Sequence, residues 1–151
     1  PNLPGSIGAG ISALYAGAEI KPAMRKLAEN LLAALGETVW VKAEKDMDIV
    51  TAVSGSGPAY VFLLVEALTN AAIAEGLPRA VAEKLARQTI IGSGALLAGD
   101  GRSAADLRKA VTSPGGTTEA ALRVLMAKPG LDGLMKRGVS AARKRGTALG
   151  K

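Results

Sequence analysis

The stretch of this chain best suited to chemistry is residues 112–119, Thr-Ser-Pro-Gly-Gly-Thr-Thr-Glu, directly ahead of an apolar helical pattern. Gly115 and Gly116 lack Cβ atoms, so a ligand can approach the main chain there. The first N–H groups of the following helix have no partner within it, and the helix dipole adds positive potential, so an anion can bind without a basic side chain. The same residues are equally typical of a helix-capping turn with Thr117 as the cap. Both interpretations stay open at this point.

A second glycine-rich run, Ser-Gly-Ser-Gly-Pro at residues 54–58, precedes another helical pattern. It matches neither the GxGxxG fingerprint of dinucleotide-binding loops nor the GxxxxGK[ST] phosphate loop. It is therefore either a helix-start turn or one wall of a ligand site. The acidic residues Glu44, Asp46 and Asp48 lie just before it and favour a solvated first turn that compensates the helix dipole.

The composition excludes several kinds of catalytic site. The chain has 0 His and 0 Cys, which excludes thiolate catalysis, Ser-His triads, imidazole acid–base chemistry and ordinary zinc sites. We therefore predict no metal, and the lack of cysteine fits a reducing compartment such as the cytoplasm. The uncharged run 49–65 is broken by residues 54–58 and predicts a poor membrane span.

The net charge is +6, and basic residues are concentrated toward the end of the chain. They are Lys136, Arg137, Arg143, Lys144, Arg145 and Lys151. A nucleic-acid site needs aromatic side chains for base stacking, and this segment has none, so we predict a solvated helix face and no nucleic-acid partner. Attraction of a small anion is a further use of the charge.

Two kinds of element must position these residues. Residues 11–15 and 38–41 predict strands around a helix at 21–35, and such a β-α-β unit normally belongs to a larger sheet. After residue 44 the patterns are helical. The predicted helices cover residues 59–75, from Pro78 to Gly99, 103–110, 117–127 and 131–149. The fold class is thus mostly α, with a short β-α-β unit in front.

The helix predicted at 59–75 is apolar on nearly every side. A helix of that kind is buried all round, and in a chain of 151 residues this predicts that helices of a second copy cover it. The next helix is rich in glycine and alanine, which are kept where another backbone comes close.

Residues 111–122, VTSPGGTTEAAL, resemble the signature of the pyrroline-5-carboxylate reductase family. Residues 48–60, with SGSGPAY, resemble its second hallmark, and GLPR at 76–79 and the opening Pro-Asn match in order and spacing. The resemblance runs from residue 1 to residue 151. It implies a remnant of a dinucleotide-binding domain at 1–43 and a helical substrate-binding and dimerisation domain at 44–151.

The resemblance implies reduction of the C=N bond of 1-pyrroline-5-carboxylate to give proline, the last step of proline biosynthesis. NADPH or NADH would be bound mainly by a nucleotide-binding part outside this chain, so we assign no cofactor-binding residue. The substrate carboxylate would be held at Gly116, Thr117 and Thr118 with help from Ser113. The Thr118 hydroxyl, as the catalytic group, would hydrogen-bond the ring nitrogen. Glu44 matches a substrate-side acid.

The chain departs from the family at two positions, with Ala110 where relatives often carry Asn and Leu3 where they often carry Thr. The resemblance implies a homodimer or higher homo-oligomer, and we expect the chain alone to be inactive. A related two-domain imine or hydroxyacid dehydrogenase and a non-catalytic helical dimerisation module are the alternatives.

Overall fold

A computed structural model describes residues 1–150, which form two compact units. The first contains Pro1–Tyr60 and the residues from Lys136 onward, and the second contains Val61–Met135. The units group residues by proximity, so the domain boundary predicted between residues 43 and 44 stays a prediction.

The first unit holds the predicted β-α-β segment. Strands β1 (Gly10–Leu14) and β2 (Gly36–Trp40) are parallel, with Gly10 opposite Gly36, and helix α1 (Pro22–Leu32) connects them. Pro22 lies at the start of the helix, where its fixed φ suits the first turn. Strand β2 starts two residues earlier than predicted, at Gly36. This glycine has a φ of 127° and lies against the backbone of Gly10, a close approach that β propensity does not predict.

The sheet has only two strands and buries one face. Ser12 and Leu14 of β1 are 1% and 6% exposed, whereas Ile11 and Val39 are exposed. Two parallel strands with one crossover helix cannot cover both faces, which is the expected state of a piece of a larger sheet.

The prediction for residues 54–58 needs correction, because they do not form a loop before a helix that starts at 59. Helix α2 (Met47–Val50) continues through a π-helical turn at Thr51–Gly55 into helix α3 (Gly57–Ala74). Ser56 N–H donates to the Thr51 carbonyl at 2.8 Å, the i→i−5 bond that defines such a turn. Pro58 follows the turn, and because it has no N–H it leaves the Ser54 carbonyl without the donor of a regular helix.

The remaining helices are where the spacing predicted them. They are α4 (Arg79–Gly99), α5 (Ala104–Ala110), α6 (Thr117–Leu125) and α7 (Gly130–Leu149). Gly76 at a φ of 99° follows α3, as expected for a left-handed residue after a helix end. Ser103 caps α5 by accepting the Asp106 N–H at 3.1 Å.

Helices α3 and α4 leave most of their apolar side chains uncovered. In α3 the only buried residue is Thr69, while Phe62 and Leu63 are 54% and 63% exposed; α4 buries only Ala82 and Ala86. The helical run Glu44–Ala74 is also long and apolar enough to cross a membrane. By itself this is weak evidence of a membrane span, because core helices of soluble proteins have the same length and composition. Exposed apolar surface of this extent marks a place where another chain or a membrane makes contact.

Candidate functional site

The segment between α5 and α6 is a turn in which the main chain of Gly116 lies against the Ser113 side chain. Thr112 ends α5: its hydroxyl donates to the Arg108 carbonyl at 2.6 Å and its N–H to the Lys109 carbonyl at 3.0 Å. Gly116 N–H then donates to the Ser113 carbonyl at 3.0 Å. A Cβ on Gly116 would meet the Ser113 hydroxyl and lie 3.1 Å from the Ser113 carbonyl oxygen, so a larger residue there would displace the Ser113 side chain.

Gly115 occupies the left-handed region at a φ of 71°, which favours glycine. Its N–H donates to Glu119 Oε2 at 2.8 Å. Glu119 is the third residue of α6, where glutamate often reaches back to the N-cap amide as part of a capping box. Here the N-cap amide, that of Gly116, is already bonded to Ser113, so the carboxylate takes the amide one residue earlier.

The start of α6 offers free main-chain donors. The N-cap is Gly116, with extended backbone and no side-chain cap, and the first amide that bonds back is that of Ala120, to the Gly116 carbonyl at 3.2 Å. Within residues 1–150 the N–H groups of Thr117, Thr118 and Glu119 therefore have no acceptor. The interpretation of Thr117 as the helix cap is wrong, because Thr117 is already helical and a glycine occupies the cap position.

Threonine hydroxyls add to this set of donors. Thr118 is half-buried, Thr117 is exposed, and neither hydroxyl forms a hydrogen bond in the part of the chain that the structure describes. Two adjacent N–H groups with a hydroxyl beside them suit an anion such as a carboxylate. Four of the predicted residues, Ser113, Gly116, Thr117 and Thr118, thus share one turn and helix start.

Glu44 belongs to the other compact unit. It begins a 3-10 turn, Glu44–Asp46, in the first unit, and its side chain is exposed. The acidic residues around it are only partly a solvated first turn, because Asp48 Oδ2 accepts a hydrogen bond of 2.6 Å from Thr147 Oγ1 of α7. The structure does not bring Glu44 together with the other four predicted residues within one unit.

The sequence analysis missed two side chains that hydrogen-bond main-chain groups, those of Glu119 and Asn2. The spacing of a capping box, with Glu119 three residues after the N-cap, is a readable signal for the first. For the second no local signal exists, because Asn2 bonds the Ser54 carbonyl across 52 residues of sequence.

The shifted pKa values in the described part of the chain belong to a pair outside residues 112–119. The Arg102 guanidinium, 2.6 Å from Asp100, lowers the pKa of that carboxyl by hydrogen bonding, and Asp100 in turn raises the pKa of Arg102. The pair lies in the connection between α4 and α5, with Arg102 exposed and Asp100 half-buried. Among residues 1–150 no group of three or more His, Cys, Asp or Glu side chains is arranged to hold a metal.

Comparison with known proteins identifies relatives over the whole chain. The family described as "Pyrroline-5-carboxylate reductase dimerisation" matches residues 44–149. Pyrroline-5-carboxylate reductase of Pseudomonas aeruginosa is 42% identical, with 99% of this chain and 54% of that protein covered. The enzyme of Synechocystis is 44% identical, with 100% and 56% covered. The chain thus spans about half the length of these relatives.

Solved structures give the same result for the fold. A pyrroline-5-carboxylate reductase from Coxiella burnetii superposes with a TM-score of 0.92 at 40% identity, covering 99% of this chain and 55% of the other. Pyrroline carboxylate reductase of Plasmodium falciparum, solved with NADP bound, has a TM-score of 0.83 at 32% identity, covering 100% and 61%. Both likenesses include the β-α-β segment as well as the helices.

Proposed function

The chain belongs to the pyrroline-5-carboxylate reductase family, and we propose that it is the substrate-binding and dimerising part of an enzyme that reduces 1-pyrroline-5-carboxylate to proline. The observation that carries the proposal is the start of α6, where the N–H groups of Thr117 and Thr118 have no acceptor within residues 1–150 and the Thr118 hydroxyl is equally unbonded. The substrate of the relatives is a carboxylate attached to a ring with one nitrogen, and the donors match that pair of groups.

In the proposed complex the Thr117 and Thr118 N–H groups donate to the substrate carboxylate, assisted by the Ser113 hydroxyl. The role of Gly116 is steric, because its own N–H is bonded to Ser113 and its missing Cβ leaves the main chain accessible. The Thr118 hydroxyl hydrogen-bonds the ring nitrogen, which takes up a proton as the C=N bond becomes C–N. These contacts orient the ring and stabilise charge that changes at the nitrogen during reduction.

A nicotinamide cofactor supplies the hydride when it is bound, as the NADP in the Plasmodium structure suggests. No segment within residues 1–150 has the form of a cradle for the dinucleotide pyrophosphate. Residues 8–13 have the spacing GxGxxA, but Gly10–Leu14 is a strand, whereas a phosphate-binding loop leads from a strand into a helix. We propose that NADPH or NADH is held mainly by residues outside this chain. We also propose that the enzyme acts in the cytoplasm.

Glu44 remains a proposed substrate-side acid on the strength of the family resemblance. It is exposed, and its carboxylate has no partner among residues 1–150, so it is available to a ligand. Glu44→Gln in a complete reductase keeps the shape and removes the charge. A change in the KM for 1-pyrroline-5-carboxylate supports the assignment, and an unaltered KM and kcat removes Glu44 from the site.

We also propose that a second copy covers the apolar surface of α3 and α4. Membership in a family described by dimerisation supports this, and so do the exposed side chains of both helices. The interface should be apolar and bury more than about 2,000 Å² in total. Light scattering at micromolar concentration without detergent should give a dimer or a multiple of it. A folded monomer, or a protein that is dispersed only by detergent, contradicts the proposal.

The activity is tested by joining this chain to the nucleotide-binding domain of a relative and following the absorbance of NADPH and NADH. We expect turnover with 1-pyrroline-5-carboxylate and none with 2-oxo acids of similar size, which a hydroxyacid dehydrogenase would reduce to 2-hydroxy acids. The isolated chain should be inactive, because nothing in residues 1–150 cradles the pyrophosphate. Preference of the joined enzyme for a 2-oxo acid, or turnover by the chain alone, would overturn the proposal.

A further inference from the structure

The Asn2 side chain makes two hydrogen bonds in opposite directions. Its Oδ1 accepts the Ile11 N–H of β1 at 3.0 Å, and its Nδ2 donates to the Ser54 carbonyl of the π turn at 3.2 Å. Only one orientation of the carboxamide satisfies both contacts, because an N–H needs an acceptor and a carbonyl needs a donor. All three residues lie in the first compact unit.

The Ser54 carbonyl needs such a donor for a reason visible in the sequence. In a regular helix it would accept the N–H of residue 58, but residue 58 is proline. The next amide, that of Ala59, donates to the Ser56 carbonyl at 3.0 Å. Asn2 therefore supplies the hydrogen bond that Pro58 removes.

The ordinary role of asparagine at this position is absent. Asn2 directly precedes a 3-10 helix, Leu3–Ile7, where its side chain would be expected to cap the first amides. No such cap forms, and the Gly5 N–H instead bonds the main-chain carbonyl of Asn2 at 3.0 Å. The carboxamide is thus committed to the long-range contact.

We propose that Asn2 is a positioning residue that fixes strand β1 against the π turn at the base of α3. The inference rests on the proposed reductase function. Ser54 lies inside the region that matches the dimerisation family, residues 44–149, and Asn2 and β1 lie ahead of it. Under the proposed function β1 belongs to the part associated with the cofactor, whereas the helices hold the substrate. Hydride transfer is sensitive to this relation, since a misplacement of about 1 Å can cost about a hundredfold in rate.

Asn2→Asp in the complete reductase separates the two contacts, because the carboxylate still accepts the Ile11 N–H but cannot donate to Ser54. We expect kcat to fall on the order of tenfold or more, with a smaller change in the KM of either substrate. Asn2→Ala removes both contacts and should lower kcat at least as far. Wild-type kcat in both variants would overturn the proposal.

Pro58→Ala provides the control for a purely structural role, because the substituted alanine regains an N–H for the Ser54 carbonyl. Asn2→Asp should lower the melting temperature, and adding Pro58→Ala should restore most of that loss. The kcat of the double variant should nevertheless stay low relative to that of Pro58→Ala alone. Recovery of both quantities would mean that Asn2 only satisfies a carbonyl, and would overturn the proposal.

If the parent enzyme fails to reduce 1-pyrroline-5-carboxylate, the proposed function fails and this inference falls with it. An active parent that is indifferent to Asn2 overturns the inference alone.

Discussion

Two glycine-rich segments of this chain, residues 54–58 and 112–118, each lead into a helix, and they use their polar groups in opposite ways. In the first, the Ser54 carbonyl accepts from Asn2 and the Ser56 N–H donates to Thr51. In the second, the N–H groups of Thr117 and Thr118 stay unbonded within residues 1–150. The first segment is bonded internally as a structural joint, whereas the second keeps the donors that the proposed substrate site needs.

The hydroxyl groups show the same contrast. Near the first segment they bond the preceding turn: Thr51 donates to the Met47 carbonyl at 2.9 Å and Ser54 to the Val50 carbonyl at 3.0 Å. Thr117 and Thr118 make no such bond in the described part of the chain. Composition does not separate the two segments, because both are rich in Gly, Ser or Thr and contain a proline. The distinguishing property is whether the local polar groups already have partners.

The largest effect that would sharpen this contrast is expected from Thr118→Val in the complete reductase. The substitution keeps the shape and removes the hydroxyl, so kcat should fall on the order of tenfold to a thousandfold. The KM for 1-pyrroline-5-carboxylate should move less, because main-chain N–H groups hold the carboxylate. Steady-state kinetics measures both quantities.

Thr51→Val is the matched control, since it removes a hydroxyl next to the first segment that bonds only the Met47 carbonyl. Its kcat should stay within about twofold of the parent value, because that hydroxyl has no role at the substrate. Equal kinetic losses in the two valine variants would break the distinction between joint and site.

An intermediate effect is expected from alanine at one glycine of each segment. Gly115 has a φ of 71° and open space around it, so Gly115→Ala meets only the conformational cost of the left-handed region, about 1–2 kcal/mol. The KM for the substrate should rise as the turn adjusts. Gly55 lies outside that region, and a Cβ there would be 3.5 Å from Thr51 Cγ2, an ordinary contact. Gly55→Ala should therefore be neutral or stabilising by up to about 1 kcal/mol. Urea unfolding compares the two, and a reversed order would contradict the account.

How far the sequence predicts this structure depends on the range of the interactions involved. Helix α5 was predictable because its cap, Ser103, and its apolar spacing are local, and α4 because Pro78 and Gly99 mark its ends. The π turn was not, because Gly, Ser and Pro are read locally as a loop, while the donor that satisfies Ser54 lies 52 residues away. The exposed apolar sides of α3 were predictable from composition, whereas what covers them depends on other chains.

The site shows the same limit. Ser113 to Thr118 are close in sequence, so their proximity in space followed from the predicted turn and helix. The position of the cap did not, because both Gly116 and Thr117 are acceptable N-caps and the Gly116–Ser113 bond decides between them. The place of Glu44 depends on how distant segments are arranged, which no local pattern contains.

The smallest effect is expected from Thr117→Val. Its hydroxyl caps nothing, so stability should change by less than about 0.5 kcal/mol and the kinetics should change little. Ser103→Ala removes a real cap and should cost about 1 kcal/mol. Thermal unfolding of the two variants side by side is the measurement. A loss in Thr117→Val as large as that in Ser103→Ala would restore the capping interpretation.

The most direct test is a crystal structure of the complete reductase with proline bound. We predict that the proline carboxylate accepts hydrogen bonds from the N–H groups of Thr117 and Thr118 at about 2.7–3.2 Å, with the ring nitrogen at the Thr118 hydroxyl. The Ser54 carbonyl should remain bonded to Asn2 in the same crystal. Proline bound away from the start of α6, with the N–H groups of Thr117 and Thr118 still unbonded, would contradict the account.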